Sequence, residues 1–170
     1  MTSNEPDPST KPWGGRRLIL GSGRSGTTWV LDCLADANEL RPIFEPLHPN
    51  ESKIGSRYAY AVMSPKDEDD VLESYFRDLA EGRVRSRWID YRIPRRLLIP
   101  NPARIVSRQY AGSWINGWRK HLRDRKSLKV KARRTGTLVK CIRANLLAGW
   151  LSTKLGFQTA LVVRHPCATI

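Results

Sequence analysis

A chain of 170 residues is long enough for one domain with a substantial buried core, and a composition of 40% apolar and 27% charged residues excludes wholesale disorder. The net charge of +14 is uneven: residues 83–134 hold 17 Lys or Arg against Asp90 and Asp124, net +15, and the other 13 basic and 14 acidic residues leave −1. The best apolar run, Leu146–Leu151, contains Gly149 and falls far short of the roughly twenty residues of a membrane helix, and no signal-peptide core precedes the first charged residues. A cytoplasmic location is therefore expected. Cys33, Cys141 and Cys167 are odd in number and form no Cys-x-x-Cys pair, which fits a reducing compartment and no metal site.

Residues 1–15, rich in Pro, Ser, Thr and Gly, read as a flexible polar tail ahead of a domain spanning 16–170. The short apolar run Arg17–Leu20 predicts a strand. Thr27–Ala37 predicts a helix, with Trp29, Val30, Cys33 and Leu34 as its apolar stripe. Pro42-Ile43-Phe44-Glu45-Pro46 is extended, its prolines excluding helix and disfavouring a central strand. Asp67–Glu81 opens with four acids, which suit a helix N-terminus, and places Val71, Leu72, Tyr75, Phe76 and Leu79 on one face. Within the basic block, about 83–134, prolines 94, 100 and 102 break the first part and Ala103–Arg125 reads as helix. Leu138–Ile142 predicts a strand and Ala144–Leu155 a helix closed by Gly156. Thr159–Val163 predicts an apolar strand of the kind buried in parallel sheets. Strand, helix, strand implies a right-handed crossover, and with the first strand gives a three-layer α/β domain with a parallel sheet flanked by helices.

Between the first strand and its helix lies Gly21-Ser-Gly-Arg-Ser-Gly-Thr-Thr-Trp29. A strand turning through glycines into a helix directs backbone N–H groups and the positive end of the helix dipole at an anion. Gly21 and Gly26 have the spacing of a P-loop, but Thr27 stands where a nucleotide kinase carries lysine, and the cation has moved to Arg24. The strand Leu161-Val162-Val163 ends in Arg164, where many nucleoside triphosphatases end a strand in an Mg²⁺-binding acid. A cation there suits direct pairing with a phosphate.

The loop resembles the 5′-phosphosulfate loop of sulfotransferases, which use the sulfate donor PAPS, and Phe44-Glu45-Pro46 and residues 139–145 look like the carbohydrate, tyrosylprotein and bacterial branches of that family. The resemblance implies a P-loop-type sheet in which Gly23, Arg24, Ser25, Gly26, Thr27, Thr28 and Trp29 hold the donor's 5′ side and Arg164 its 3′-phosphate. It further implies that Glu45 takes the proton of a hydroxyl acceptor; Arg24 would then stabilise the moving charge, arginines and N–H groups would replace a metal, and the basic, aromatic middle segment favours an acidic or sugar acceptor. Family members continue past the 3′-phosphate strand, so the fold is expected to be incomplete at its C-terminal end and the chain to be a fragment or shortened relative. His48 and His165 are other possible bases, whereas His121 stands in no context that matches the family's histidine. A P-loop kinase-like protein and a non-enzymatic polyanion binder working through residues 83–134 are the alternatives. Trp88, Tyr91, Tyr110, Trp114 and Trp118 interleave with arginines there, but no nucleic-acid motif is visible.

Overall fold

The structure, a computed structural model, describes residues 15–93, 119 and 127–165. Four strands, β1 (Arg16–Gly21), β2 (Arg41–Phe44), β3 (Thr137–Lys140) and β4 (Phe157–Val162), form one all-parallel sheet in the order β2-β3-β1-β4. Helices α1 (Thr27–Ala37), α2 (Lys53–Tyr58), α3 (Asp70–Ala80), α4 (Arg87–Tyr91) and α5 (Ala148–Leu155) flank it. No helix among the described residues is long and apolar enough to cross a membrane.

Successive strand residues face opposite sides, so each strand feeds two cores. Leu18 and Leu20 of β1 join Ile43 and Val139 under Leu72, Phe76 and Leu79 of α3 and Trp150, Leu151 and Leu155 of α5. Ile19 and Leu138 face the other way, against Leu31 and Ala35 of α1. The chain leaves β1 toward β2 on one side and leaves β3 toward β4 on the other; right-handed crossovers then place the connecting helices on opposite faces. Such a reversal opens a crevice beyond the carboxyl ends of the strands.

The proline-bearing stretch is extended and not central, as its prolines predict: it pairs as β2 at the sheet edge, where a missing N–H need not break a ladder. Other expectations are corrected. Among the described residues the last strand is the opposite edge rather than a buried one: Phe157 is buried, but Leu161 is 63% and Val163 79% exposed. On α1 the buried face is Thr27, Leu31 and Ala35, with Val30 and Leu34 partly covered; Trp29 is 72% exposed and Cys33 is exposed. The buried face thus includes Thr27 and Ala35, small residues that an apolar stripe passes over. Val71 likewise projects outward from α3. The predicted helix from Ala144 begins earlier, as a 3₁₀ turn over Ile142–Leu147, before α5; Gly156, at φ 64°, closes α5 in the left-handed conformation. The tail at 1–14, the helix expected at 103–125 apart from residue 119, and the candidates His121, Tyr110, Trp114, Trp118 and Cys167 lie outside the described residues.

One buried charge ties the flank of the basic block to the sheet. Arg41, fully buried on β2, donates from Nε to Asp90 of α4 at 2.7 Å and from Nη1 and Nη2 to the carbonyls of Gly82 and Val84 at 2.9 and 2.7 Å. A buried guanidinium is tolerated because these partners satisfy it.

Candidate functional site

All four strands point the same way, so Gly21, Glu45, Lys140 and Arg164 lie at the carboxyl-end side of the sheet. At the end of β1, Gly21 has φ 155°, and a Cβ there would come within 2.7 Å of Thr27 Cγ2 and of the Val162 carbonyl. Only glycine fits where the loop passes between β4 and its own helix. Ser25 closes the turn, its amide and hydroxyl both donating to the Ser22 carbonyl, at 3.3 and 2.8 Å. Arg24 and Gly26 adopt left-handed conformations, φ 65° and 89°, and α1 begins after Gly26 with no side-chain cap and no acid in its first turn. Its first N–H groups are thus left for water or an anion, with the helix dipole behind them. Ser25 and Thr27 are buried, Thr28 is half-buried, and Gly23, Arg24 and Trp29 are exposed around the turn. From beyond β4, Arg164 reaches back so that Nη1 donates to the Arg24 carbonyl at 3.4 Å.

Glu45 follows β2 at φ 44° and is buried. Its amide donates to the Lys140 carbonyl at 2.8 Å, continuing the β2–β3 ladder, and its carbonyl accepts from Trp88 Nε1 at 3.0 Å. The carboxylate is held by cations. Oε1 is paired with Lys140 Nζ and accepts from the Ile142 amide at 3.3 Å, and Oε2 accepts from Arg143 Nη1 at 2.9 Å. Rings line the surroundings: Phe44 lies under Lys140 Nζ at 4.8 Å and edge-on to Trp88 at 5.2 Å, while Tyr60 lies under Arg143 at 5.9 Å. His48 stacks edge-on to Trp88 at 4.8 Å, and burial, followed by the nearby Arg143 charge, lowers its pKa, favouring the neutral ring. Burial raises the thiol of Cys141 to about 12, so this residue fills space beside Glu45 as a neutral thiol.

The loop, Glu45 and Arg164, all singled out in the sequence, lie on the carboxyl-end side of the sheet, with Glu45 beyond one edge strand and Arg164 beyond the opposite one. The sequence alone assigns no roles to Lys140, Arg143 or Asn145. Lys140 carried a visible signal, a single charge inside the apolar run Leu138–Ile142, since a buried lysine needs a partner. Among the described residues, no group of three or more His, Cys, Asp or Glu side chains could hold a metal ion. No protein-family profile matches the chain significantly, and neither does any curated protein or solved structure.

Proposed function

We propose that this protein transfers a sulfuryl group from PAPS to a hydroxyl acceptor, with a carbohydrate or other glycan-like alcohol as the favoured class. The observation that carries the reading is the placement of an uncapped glycine turn, two arginines and a buried, cation-held carboxylate along the carboxyl-end side of the same sheet. An arginine-lined cradle without a P-loop lysine suits a phosphosulfate better than a triphosphate–Mg²⁺ complex. Gly23, Arg24, Ser25, Gly26, Thr27 and Thr28 would hold the 5′ side of the donor, Trp29 would lie against it, and Arg164 would take the 3′-phosphate.

In this reading the acceptor oxygen attacks sulfur in line as the bond from sulfur to the bridging phosphate oxygen breaks, and the hydroxyl proton passes to Glu45. A carboxylate has about four lone-pair sites, so Oε2, which has Arg143 as its donor, retains room to accept a hydroxyl. Arg24 and the loop N–H groups oppose the charge that builds on the leaving phosphate. The test is PAPS-dependent sulfation of a glycan panel by the wild type, Glu45→Gln and Arg24→Ala. Loss of a single such donor is expected to cost on the order of 3 kcal/mol in the transition state, roughly a hundredfold in rate. Near-normal turnover in either variant overturns the role given to that residue. Tighter binding of ATP with Mg²⁺ than of adenosine 3′,5′-bisphosphate would replace the donor assignment with a kinase-like one.

A further inference from the structure

A single 3₁₀ turn, Ile142–Leu147, touches both halves of the site. Its first two residues supply the Ile142 amide and the Arg143 guanidinium that hold Glu45. Its fourth, Asn145, reaches the glycine turn: Asn145 Oδ1 accepts from the Gly21 amide at 3.2 Å, and Nδ2 donates to the Gly21 carbonyl at 3.0 Å. In a parallel ladder the backbone of the neighbouring strand would ordinarily supply this acceptor and donor, from two of its residues. The β1–β3 register runs from Leu18 opposite Val139 to Ile19 opposite Lys140, and the Cys141 amide still donates to the Ile19 carbonyl at 3.0 Å. The chain then curls into the 3₁₀ turn, and the next rung, at Gly21, is made by a side-chain amide instead of a backbone one.

Gly21 is where β1 ends, so the orientation of its peptide sets the direction in which the loop leaves the sheet. We propose that Asn145 is a positioning residue that fixes the glycine turn at a set distance and angle from Glu45. Asparagine suits the task because its carboxamide carries an acceptor and a donor side by side; aspartate has the same shape but no donor, and alanine has neither. Asn145 is itself exposed, so its contribution comes from the paired hydrogen bonds rather than from filling the core. This inference rests on the reading of the turn as the donor cradle, but it has a ligand-free readout.

The experiment compares the wild type with Asn145→Ala and Asn145→Asp, using amide hydrogen exchange of residues 18–28 and titration with adenosine 3′,5′-bisphosphate followed by tryptophan fluorescence. Both variants are expected to exchange faster at 21–28 with protection of Leu18–Leu20 retained. Both should bind the bisphosphate at least tenfold more weakly, about the effect of losing one to two hydrogen bonds. Wild-type-like exchange in the alanine variant overturns the proposal. So does a defective alanine variant beside a normal aspartate one, which would mark a packing role, and so does loss of protection across the whole sheet in both variants, which would mark a residue that holds the fold. If the wild type fails to bind the bisphosphate, the donor reading falls, and the exchange data alone decide the role of Asn145.

Discussion

Arg164 Nη1 donates to the backbone carbonyl of Arg24 at 3.4 Å, joining residues 140 positions apart at the mouth of the glycine turn. The contact uses one nitrogen of a guanidinium that has five N–H donors, so most of its hydrogen-bonding capacity remains for an anion. Arg164→Ala is expected to weaken adenosine 3′,5′-bisphosphate by about 10- to 100-fold, the range for a hydrogen bond to a charged group, while leaving the unfolding transition in place. Calorimetric titration measures this, and an unchanged Kd would remove Arg164 from the site.

Lys140 and Glu45 are a buried pair, with side chains 5% and 3% exposed. Removing one member of such a pair leaves a charge without full compensation, at a typical cost of about 3–5 kcal/mol. Because Arg143 still holds Oε2, Lys140→Met should fall near the lower end, about 3 kcal/mol by urea unfolding. Adding Glu45→Gln to Lys140→Met should recover part of that loss. A single variant as stable as the wild type would show that the pair contributes little.

Acid should weaken the fold through specific carboxylates. Asp69 caps α3, accepting from the Leu72 amide at 2.9 Å and from the Tyr58 hydroxyl at 2.9 and 2.7 Å; these bonds, the backbone one foremost, hold its pKa below the ordinary carboxylate range. On the outer face of α1, the hydrogen bond from Lys131, with help from Arg134, lowers that of Asp36. The unfolded chain takes up these protons near pH 3.9 and the folded chain only at lower pH. The unfolded state therefore holds more protons in that interval. The stabilisation from both groups is complete above about pH 5 and is lost as pH falls through the folded values. Asp69→Ala should cost about 1 kcal/mol at neutral pH from the lost cap, and should flatten the acid limb of stability against pH. Urea midpoints across the acid range test both effects, and an unaltered acid limb in the variant would remove Asp69 as a source of the acid sensitivity.

Local chemistry was legible where it is decided locally. The limits of α1 follow from Gly26 before it and the polar Asp36–Glu39 after it, and the stop of α5 follows from Gly156. The glycine turn could be read because its residue types serve one geometry. Less could be read where neighbours distant in sequence decide. Nothing near Leu161 reveals that β4 lies at an edge, since an apolar strand reads the same whether or not its outer side is covered. The grip on Glu45 arises 95 to 98 residues away, and Asn145 pairs with a glycine 124 residues before it, distances over which a single sequence carries no periodic signal. The small residues of α1 mislead for a different reason: Thr27 and Ala35 count little as apolar residues, yet both lie on the buried face of the helix.

Among the described residues nothing pairs with the outer margin of β4, and that margin gives these chains a means of sticking together. From Phe157 to Val163 there is neither a charge nor a proline, the devices that usually keep such margins from zippering onto one another. Mutual repulsion from a net charge of +14 then becomes the main force holding molecules apart, and it weakens once added salt shortens its reach to about 10 Å or less. Concentrated solutions should accordingly stay clear in dilute buffer and turn turbid as salt is raised, the reverse of ordinary salting-in.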